Sequence, residues 1–448
     1  MHLNLENTDR KDRHTVRPKL LIIAPSWDSG WWGGGKVLAP PLVLPLLAGL
    51  TPRDIDVQLI DENIESVDTN MPCDGVAITC MTASATRAYE IADAFRNRKI
   101  PVVMGGIHPT AMPDEAAAHC DSVIIREAEP VWPRVLADLA ANTLKARYQS
   151  PEYCDMKGLP IPRRDLLKRE RYLTTNVIQT ARGCPNGCSF CSVPSIFGKH
   201  YRFRPIPEVI EEIHSTQGWL GFVDDNIVGT SRADELFEAL IPLGRRWVGQ
   251  GDLSMADDPE LMRLAVKSGC QAMFIGLESL SQKNLKATHK RPNIDKDMGQ
   301  AITAIHRAGI EIIGSFVLGL DEDNCETFAK TVEFAQRHKL AAAQFAVLTP
   351  FPGTEMRDKL VSEDRVSDND WSHYTMSNVV FRPLHMTDDE LRRGQRYAYG
   401  RFYSLPSIIK RSFTPRGLEK VLLKLAVNIS YRTIRHSKGR ISGRLPTH

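Results

Sequence analysis

From Lys19 onward, short apolar runs alternate along the chain with stretches whose apolar residues recur at helical spacing. Five apolar runs come first, and their unbroken apolar character predicts strands buried on both faces of a parallel sheet. They cover residues 21–25, 57–60, 75–79, 101–104 and 122–125. Thr86–Arg98 and Pro130–Ala141 have the spacing of crossover helices between such strands. The first part of the chain is therefore predicted to form a doubly wound α/β sheet, which binds ligands at the carboxyl ends of its strands.

A second series of apolar runs begins after residue 172 and again alternates with helical stretches. Its candidate strands are 176–181, 220–224, 247–251, 272–277, 310–319 and 342–348, and its candidate helices are 207–217, 231–243, 258–268, 295–308 and 324–338. A closed barrel needs eight β/α units, so these six predict an open partial barrel with its chemistry at the carboxyl ends of the strands.

The two series define the predicted domains. Residues 19–142 form a Rossmann-like domain with flavodoxin-like strand order, preceded by an N-terminal extension at 1–18. A proline-rich linker at 143–172 leads to the partial (β/α)6 barrel at 173–356. After Pro350 the pattern breaks down, so 357–448 is expected to be a small, mostly helical C-terminal region with a basic tail.

Composition is that of an ordinary soluble protein, with 42% hydrophobic and 25% charged residues in 448. The N-terminus has no apolar core of the kind found in signal peptides. The longest uncharged apolar run, Val37 to Leu50, contains three prolines and is too short to span a bilayer. We therefore expect a cytoplasmic protein, and we do not expect nucleic acid as a partner because no RNA-binding domain is recognisable.

The charge is unevenly distributed. Residues 391–448 contain 14 Lys and Arg against one acid, Glu419. Within this tail, Gly417–Arg440 places apolar residues at helical spacing beside lysines, which permits two interpretations. The segment is either an amphipathic helix that contacts a membrane surface or a helix packed on the barrel with a solvated basic end, which is the commoner case.

Three of the nine cysteines crowd into the sequence ARGCPNGCSFCSV, directly after a predicted strand. Cys184, Cys188 and Cys191 have Cys-x3-Cys-x2-Cys spacing, and Gly183 and Gly187 permit the tight turns that such a short loop needs. Three thiolates suit a four-iron cluster with one iron left open. A structural zinc site is the alternative, although no matching fourth ligand lies nearby in sequence.

This spacing after the first strand of a partial barrel resembles the radical SAM superfamily, which uses S-adenosylmethionine (SAM). The resemblance implies a [4Fe-4S] cluster whose open iron binds SAM and cleaves it to a 5′-deoxyadenosyl radical. It also implies a set of SAM-binding residues at the strand ends of the barrel. They are Phe190 beside the adenine, Asp224, Asp225 and Asn226 in FVDDN, Gln250, Glu278 and Ser279 in IGLES, and Gly314 with Ser315.

The N-terminal domain carries MGGIHPT (104–110) and REAEP (126–130), which resemble the cobalamin-binding domain found upstream of some radical SAM barrels. The commoner family form of the second motif is Gly-Glu-Gly-Glu, so Arg126 stands where a glycine is usual. The histidine signature of enzymes that ligate cobalt is absent, and we expect no histidine on cobalt. The cobalamin-binding residues that the resemblance implies are Thr79, Thr82, Gly105, Gly106, His108, Thr110 and Glu127.

The resemblance implies a class B radical SAM methyltransferase that methylates an unactivated carbon, with methylcobalamin as methyl donor and an adenosyl radical as hydrogen abstractor. It also implies a small-molecule substrate, which would be lipophilic if the tail meets a membrane, and a flavodoxin- or ferredoxin-type electron donor. A radical cyclisation or rearrangement by the same domains is the alternative. A non-catalytic cobalamin sensor is disfavoured because a binding module has no use for an open iron, and an RNA-modifying iron–sulfur enzyme is disfavoured by the missing RNA-binding domain. No catalytic residue is predicted.

Overall fold

The computed structural model describes residues 17–27 and 39–412, together with Val421, Lys424, Leu425 and Asn428 further along. The first sheet has six parallel strands. They are β1 (Lys19–Ala24), β2 (Asp56–Asp61), β3 (Gly75–Thr79), β4 (Val102–Gly105), β5 (Ser122–Ile125) and β6 (Arg147–Gln149), in the order β2-β1-β3-β4-β5-β6. The helices of this half are α1 (Val43–Leu50), α2 (Ala85–Asn97), α3 (Ile107–Ala111), α4 (Pro113–His119) and α5 (Trp132–Ala140).

The strands of this sheet are buried on both faces, as their continuous apolar runs require. Leu20 and Ile22 of β1 pack on one face with α1 and α5. Leu21 and Ile23 pack on the other face with α2. The predicted flavodoxin-like order is confirmed, and the order reverses between β1 and β3, where such sheets open a crevice for ligands.

The second sheet also has six parallel strands and is open, with β7 and β14 at its two edges. Its strands are β7 (Val177–Ile178), β10 (Leu220–Phe222), β11 (Trp247–Gly251), β12 (Cys270–Glu278), β13 (Glu311–Leu318) and β14 (Ala342–Val347). The crossover helices are α7 (Ile206–His214), α8 (Ala233–Leu240), α9 (Pro259–Lys267), α11 (Met298–Ala308) and α12 (Cys325–Arg337), with a short α10 (Gln282–Ala287) after β12. This is the predicted partial barrel.

Alternate residues along the central barrel strands are fully buried against the helices, and those between them are half-buried. The half-buried face lines the concave side of the open sheet, which we call the lumen. Its side chains include Phe274, Ile313, Val317 and Ala346, and they carry no charge. The polar but uncharged side chains of Ser315 and Gln344 lie on the same face, so the lumen wall mixes apolar and neutral polar residues.

The structure differs from the prediction in short elements. β6 lies within the predicted linker, because a three-residue edge strand with one buried side chain, Tyr148, gives no periodic signal. The hairpin of β8 (Ala181–Arg182) and β9 (Arg202–Phe203), with α6 (Val193–Phe197) between its strands, was not predicted for the same reason.

The C-terminal region contains three helices: α13 (Glu355–Ser362), α14 (Asp388–Phe402) and α15 (Leu405–Ser412). Most of the basic tail, including the predicted helix Gly417–Arg440, lies outside the described residues. The ammonium of Lys424 pairs with Glu311 of β13 at 2.7 Å, and Asn428 is fully buried. Among the residues the structure describes, none of the helices has the length and apolar character needed to cross a membrane.

Candidate cofactor site between the two sheets

The three predicted cluster ligands lie in one loop, residues 183–191, between β8 and α6; we call it the cluster loop. Cys184, Cys188 and Cys191 are all half-buried. Burial raises the pKa of the Cys188 thiol to about 11 and that of Cys191 to about 12. Thiols of this kind release their protons when a metal centre supplies positive charge, so their chemistry suits an iron cluster.

The positions of these side chains also test the alternative of a structural zinc site. Within the described part of the chain, no group of three His, Cys, Asp or Glu side chains is placed to hold a single metal ion. Each thiolate of a four-iron cluster binds a different iron, so a cluster needs wider thiol spacing than a single ion does. The described residues therefore give no support to a closed zinc site at the cysteine triad.

Gly183 starts the cluster loop with a φ of +87°, a left-handed angle that favours glycine. A Cβ at this position would overlap the carbonyl oxygen of His200, which lies two residues before β9. The β8–β9 hairpin thus fixes the direction in which the chain leaves Arg182 toward Cys184.

The adjacent acids Asp224 and Asp225 hold the chain that leads into the cluster loop. Oδ1 of Asp224 accepts hydrogen bonds from the amide (2.9 Å) and hydroxyl (2.7 Å) of Thr180 and from the amide of Ala181. Oδ2 of Asp225 accepts one from the Gly183 amide at 3.1 Å. Both acids follow closely after β10 and lie next to the loop, and these contacts give them a positioning role.

Burial raises the pKa of Asp224 to about 7, although the three hydrogen bonds from Thr180 and Ala181 oppose the shift. Its second oxygen, Oδ2, has no hydrogen-bond partner among the described residues. This oxygen is the buried polar atom of Asp224 that the described residues leave without a partner.

The other predicted SAM residues lie on both sides of the barrel sheet. Gln250 and Ser315 are half-buried on the lumen side, and Phe190 packs at the margin of the barrel core. Gly314 faces the helical layer instead, where a Cβ would lie 2.7 Å from Leu340. Because neighbouring residues of a strand point to opposite faces, the Ser315 side chain faces the lumen, whereas a side chain at 314 would face the helices.

Asn226 and Ser279 are engaged in the framework around the lumen. The Asn226 amide donates to Asp252 at 2.7 Å, and its carbonyl accepts from the Gly229 amide at 3.1 Å. The Ser279 hydroxyl accepts from the Ser281 amide at 3.1 Å. These contacts tie strand ends to the loops that follow them.

Lys290 is a residue of this site that the sequence analysis missed. Its ammonium lies 2.8 Å from Oε1 of Glu278, and both side chains are nearly buried. Glu278 ends β12 with a φ of +63°, and a Cβ at Gly276 would overlap its carboxylate. Burial lowers the pKa of Lys290, but the neighbouring Glu278 carboxylate and Cys188 thiolate outweigh it and raise that pKa above its ordinary value. A lone lysine in THKRPN carries no signal in sequence, because only the fold brings it to the end of β12.

A cavity of about 340 Å³ opens at the carboxyl ends of the first sheet and extends to the barrel. Its inner part is apolar, formed by strand and helix residues Ile22, Ala77, Val103, Ile124, Leu46, Leu47 and Trp132. Its rim includes the predicted residues Thr79, Gly105, Gly106 and Glu127. Gly106 has a φ of +106°, and a Cβ there would lie 2.8 Å from the Cys80 carbonyl oxygen. A cradle of bare backbone above an apolar pocket fits a flat macrocycle with an aromatic appendage.

The remaining predicted cobalamin residues, Thr82, His108 and Thr110, do not line this cavity. His108 is fully buried; its Nε2 lies 3.0 Å from the Tyr89 hydroxyl, and its Nδ1 lies 3.4 Å from Oγ1 of Thr82. Thr110 donates to the Gly106 carbonyl at 2.7 Å. These three side chains support the rim from behind.

Arg182 connects the cavity with the cluster loop. Its guanidinium pairs with Glu127 at 2.8 Å and with Glu129 at 2.5 Å, and all three residues line the cavity. Arg202 pairs with Glu127 from the other strand of the hairpin at 3.0 Å. Acids from the end of the first sheet thus hold an arginine that lies two residues before Cys184.

Comparison with known proteins agrees with both halves of this site. Residues 178–335 match the Radical SAM superfamily, and residues 39–136 match the B12 binding domain. The structure resembles that of the cobalamin-dependent SAM radical enzyme OxsB with aqua-cobalamin and SAM bound. The TM-score is 0.69 at 14% identity, over 94% of this chain and 72% of that one.

Two curated relatives come from Chlorobaculum tepidum. Bacteriochlorophyllide d C-12(1)-methyltransferase is 32% identical over 88% of this chain and 89% of its own length. Bacteriochlorophyllide d C-8(2)-methyltransferase is 29% identical over 86% of this chain and 90% of its own length.

The fold and the site define an enzyme that combines a cobalamin-binding domain with a radical SAM barrel. The chain belongs to the family of cobalamin-dependent radical SAM methyltransferases, and its cofactors are a [4Fe-4S] cluster, SAM and cobalamin. The predicted family, fold class and cofactors are confirmed.

Proposed function

We propose that this enzyme methylates a saturated carbon on the periphery of a tetrapyrrole of the bacteriochlorophyllide type. The observation that carries the proposal is the 32% identity to a bacteriochlorophyllide methyltransferase over nearly the full length of both chains. A flat, apolar macrocycle also suits the lumen, whose wall is uncharged at Phe274, Ile313, Val317 and Ala346. The barrel sheet is open, with β7 and β14 as its two edges, so the sheet itself does not close the lumen.

We further propose which residues hold the cofactors. Cys184, Cys188 and Cys191 would bind the cluster, and Gln250, Glu278, Ser315 and Lys290 would present polar groups to SAM at the strand ends. Thr79, Gly105 and Gly106 would hold the corrin at the carboxyl ends of the first sheet. When bound, the cluster and SAM supply hydrogen abstraction from the substrate carbon, and cobalamin supplies the methyl group. The chain's own contribution is to line these groups along one channel and keep water out of it.

The domain boundaries of this proposal follow the two sheets: a cobalamin-binding half to residue 149, a radical SAM barrel from 177, and a C-terminal helical region after β14. A small-molecule substrate and an external electron donor complete the reaction. The membrane-surface hypothesis for the tail rests on residues outside those described, and the Lys424–Glu311 pair supports packing on the barrel at that position.

The test is anaerobic turnover of reconstituted enzyme with bacteriochlorophyllide d, SAM, hydroxocobalamin and a reductant. We expect a product heavier by one methylene, formed together with equal amounts of 5′-deoxyadenosine and S-adenosylhomocysteine. Deoxyadenosine formed with a product that has lost hydrogen and gained no carbon would identify a cyclisation instead. No consumption of the tetrapyrrole, with active SAM cleavage, would refute the substrate class.

Cysteine variants provide the matched control. Cys191→Ala should lose the iron cluster and all SAM cleavage, whereas Cys120→Ala should retain both. Cys120 is a buried cysteine behind the first sheet, where its thiol only contacts the backbone carbonyls of Ala116 and Ser122. Loss of the cluster in both variants would point to a general folding defect rather than to ligation.

A further inference from the structure

Arg126 follows β5 with a φ of +68°, a left-handed angle that glycine adopts freely and that costs other residues about 1 kcal/mol. Hydrogen bonds to neighbouring residues hold Arg126 in this backbone conformation. The Arg126 amide donates to Oγ1 of Thr110 at 2.9 Å, and Thr110 in turn donates to the Gly106 carbonyl. This chain therefore keeps an arginine at a strained position in the rim of the cavity, where the usual motif has glycine.

The guanidinium of Arg126 has no carboxylate within ion-pair distance among the described residues. It lies over the Tyr153 ring, with 4.9 Å to the ring centroid. The acids that follow it are engaged elsewhere, since Arg182 pairs with both Glu127 and Glu129 and Arg202 pairs with Glu127. Among the described residues of the rim, Arg182 and Arg202 are paired with Glu127 and Glu129, and Arg126 is the arginine left without a carboxylate partner.

A half-buried guanidinium is stabilised most by a contact with an oxyanion, because its planar fork matches the oxygens of a phosphate or carboxylate. The cavity that Arg126 lines has a glycine cradle at its rim and an apolar pocket beneath it, against Ile22, Ala77 and Trp132. Cobalamin has a corrin ring with neutral amides, an aromatic base and one phosphodiester that joins them. The phosphodiester anion therefore lies between the corrin, which suits the glycine rim, and the aromatic base, which suits the apolar pocket.

We propose that Arg126 is an anion-binding residue for the phosphodiester in the nucleotide tail of cobalamin. The strain in its backbone is offset by this contact when the cofactor binds. The inference rests on cobalamin binding in this cavity and is independent of the identity of the substrate.

The test compares two corrinoids on purified full-length enzyme: hydroxocobalamin, and dicyanocobinamide, which lacks the phosphodiester and the base. In Arg126→Gly the backbone strain is relieved and the whole side chain is lost, including the guanidinium and its contact with the Tyr153 ring. We expect the dissociation constant for hydroxocobalamin to rise about tenfold, the scale of one charge-assisted contact, while that for dicyanocobinamide stays unchanged. Added salt should weaken hydroxocobalamin binding to the unaltered enzyme more than to the variant.

Arg126→Gln is the matched control, because it keeps the strained backbone and much of the side-chain length but removes the charge. It should show the same selective loss for hydroxocobalamin. Equal weakening of both corrinoids would mean that Arg126 packs on the macrocycle, and unchanged binding of both would mean that its charge meets another group, such as a substrate carboxylate. Either result would overturn the proposal. Failure of the unaltered enzyme to bind hydroxocobalamin would instead contradict the cofactor assignment.

Discussion

Two glycines of the cluster loop have left-handed backbone angles, but only one of them also lacks space. Gly183 has a φ of +87°, and a Cβ there would overlap the His200 carbonyl oxygen. Gly187 has a φ of +65°, and its nearest neighbour would be the Pro185 carbonyl oxygen at 4.0 Å. A comparison of substitutions at the two positions therefore separates the effect of backbone strain from that of steric overlap.

We expect Gly187→Ala to cost about 1 kcal/mol of local strain and to leave cluster assembly largely intact. Gly183→Ala adds a clash with the backbone of the hairpin and should prevent assembly. The measurement is iron bound per chain after anaerobic reconstitution. Equal iron content in the two variants would show that the hairpin does not direct the cluster loop.

Asp224 gives a prediction of pH dependence. Because burial raises its folded pKa to about 7, above the unfolded value, the folded state binds a proton that the unfolded state does not bind between the two values. The stability of the protein relative to Asp224→Asn should therefore fall as the pH rises from about 5 to about 8, by about 2 kcal/mol.

Urea unfolding of the two cluster-free proteins at both pH values measures this difference. The substituted protein is its own control, since the other titrating groups are shared and cancel in the comparison. A stability difference that is constant with pH would mean that Asp224 stays ionised, held by the hydrogen bonds from Thr180 and Ala181.

At the scale of elements, Gly394 of α14 and Gly299 of α11 both lie within helices but have different surroundings. Gly394 of α14 faces α12 so closely that a Cβ would overlap the Phe328 ring. Gly299 of α11 would place its Cβ 2.6 Å from the outer edge of the ring of His338, which is a half-buried side chain rather than backbone. The close approach of α14 to α12 thus depends on the missing side chain at 394.

Gly394→Ala should destabilise the fold by about 1 to 3 kcal/mol, because overpacking outweighs the gain in helix propensity. Gly299→Ala should be neutral or stabilising by up to about 1 kcal/mol, because the clash is relieved and the propensity gain remains. Thermal or urea unfolding distinguishes the two. A neutral Gly394→Ala would show that α14 shifts freely on α12.

At the scale of the whole molecule, the two sheets are joined by the buried pairs of Arg182 with Glu127 and Glu129. Replacing Arg182 with Met leaves two buried carboxylates without their main partner. Such a loss typically costs about 3 to 5 kcal/mol. Because Arg182 directly precedes Gly183, the variant should also bind less iron.

The matched control is Arg134→Met, which breaks the Arg134–Asp138 pair on α5. That arginine is 63% exposed, so its loss should cost less than about 1 kcal/mol. Urea unfolding and iron content are the two measurements. If Arg182→Met is as stable as Arg134→Met, the connection between the sheets depends on other contacts, such as the hydrogen bond from Trp371 to Glu115 at 2.7 Å.

The sequence by itself determined the two sheets, their parallel strands and the cysteine triad, because these depend on local properties. Continuous apolar runs such as β1 are buried on both faces in any fold that accepts them, and the cluster spacing lies within one short loop. Short elements such as β6 and the β8–β9 hairpin gave no such signal, because two or three residues hold too little periodicity to be read.

Only the tertiary structure decided which polar residues meet. It brought Lys290 to Glu278 and Arg182 to Glu127, and it turned His108 away from the cavity. It also placed Gly314 and Ser315 on opposite sides of one strand. Contacts between residues far apart in the chain depend on how the strands align and on which side of each strand faces the lumen. A shift of one residue in the strand register moves every side chain to the opposite face, and a single sequence does not fix that register.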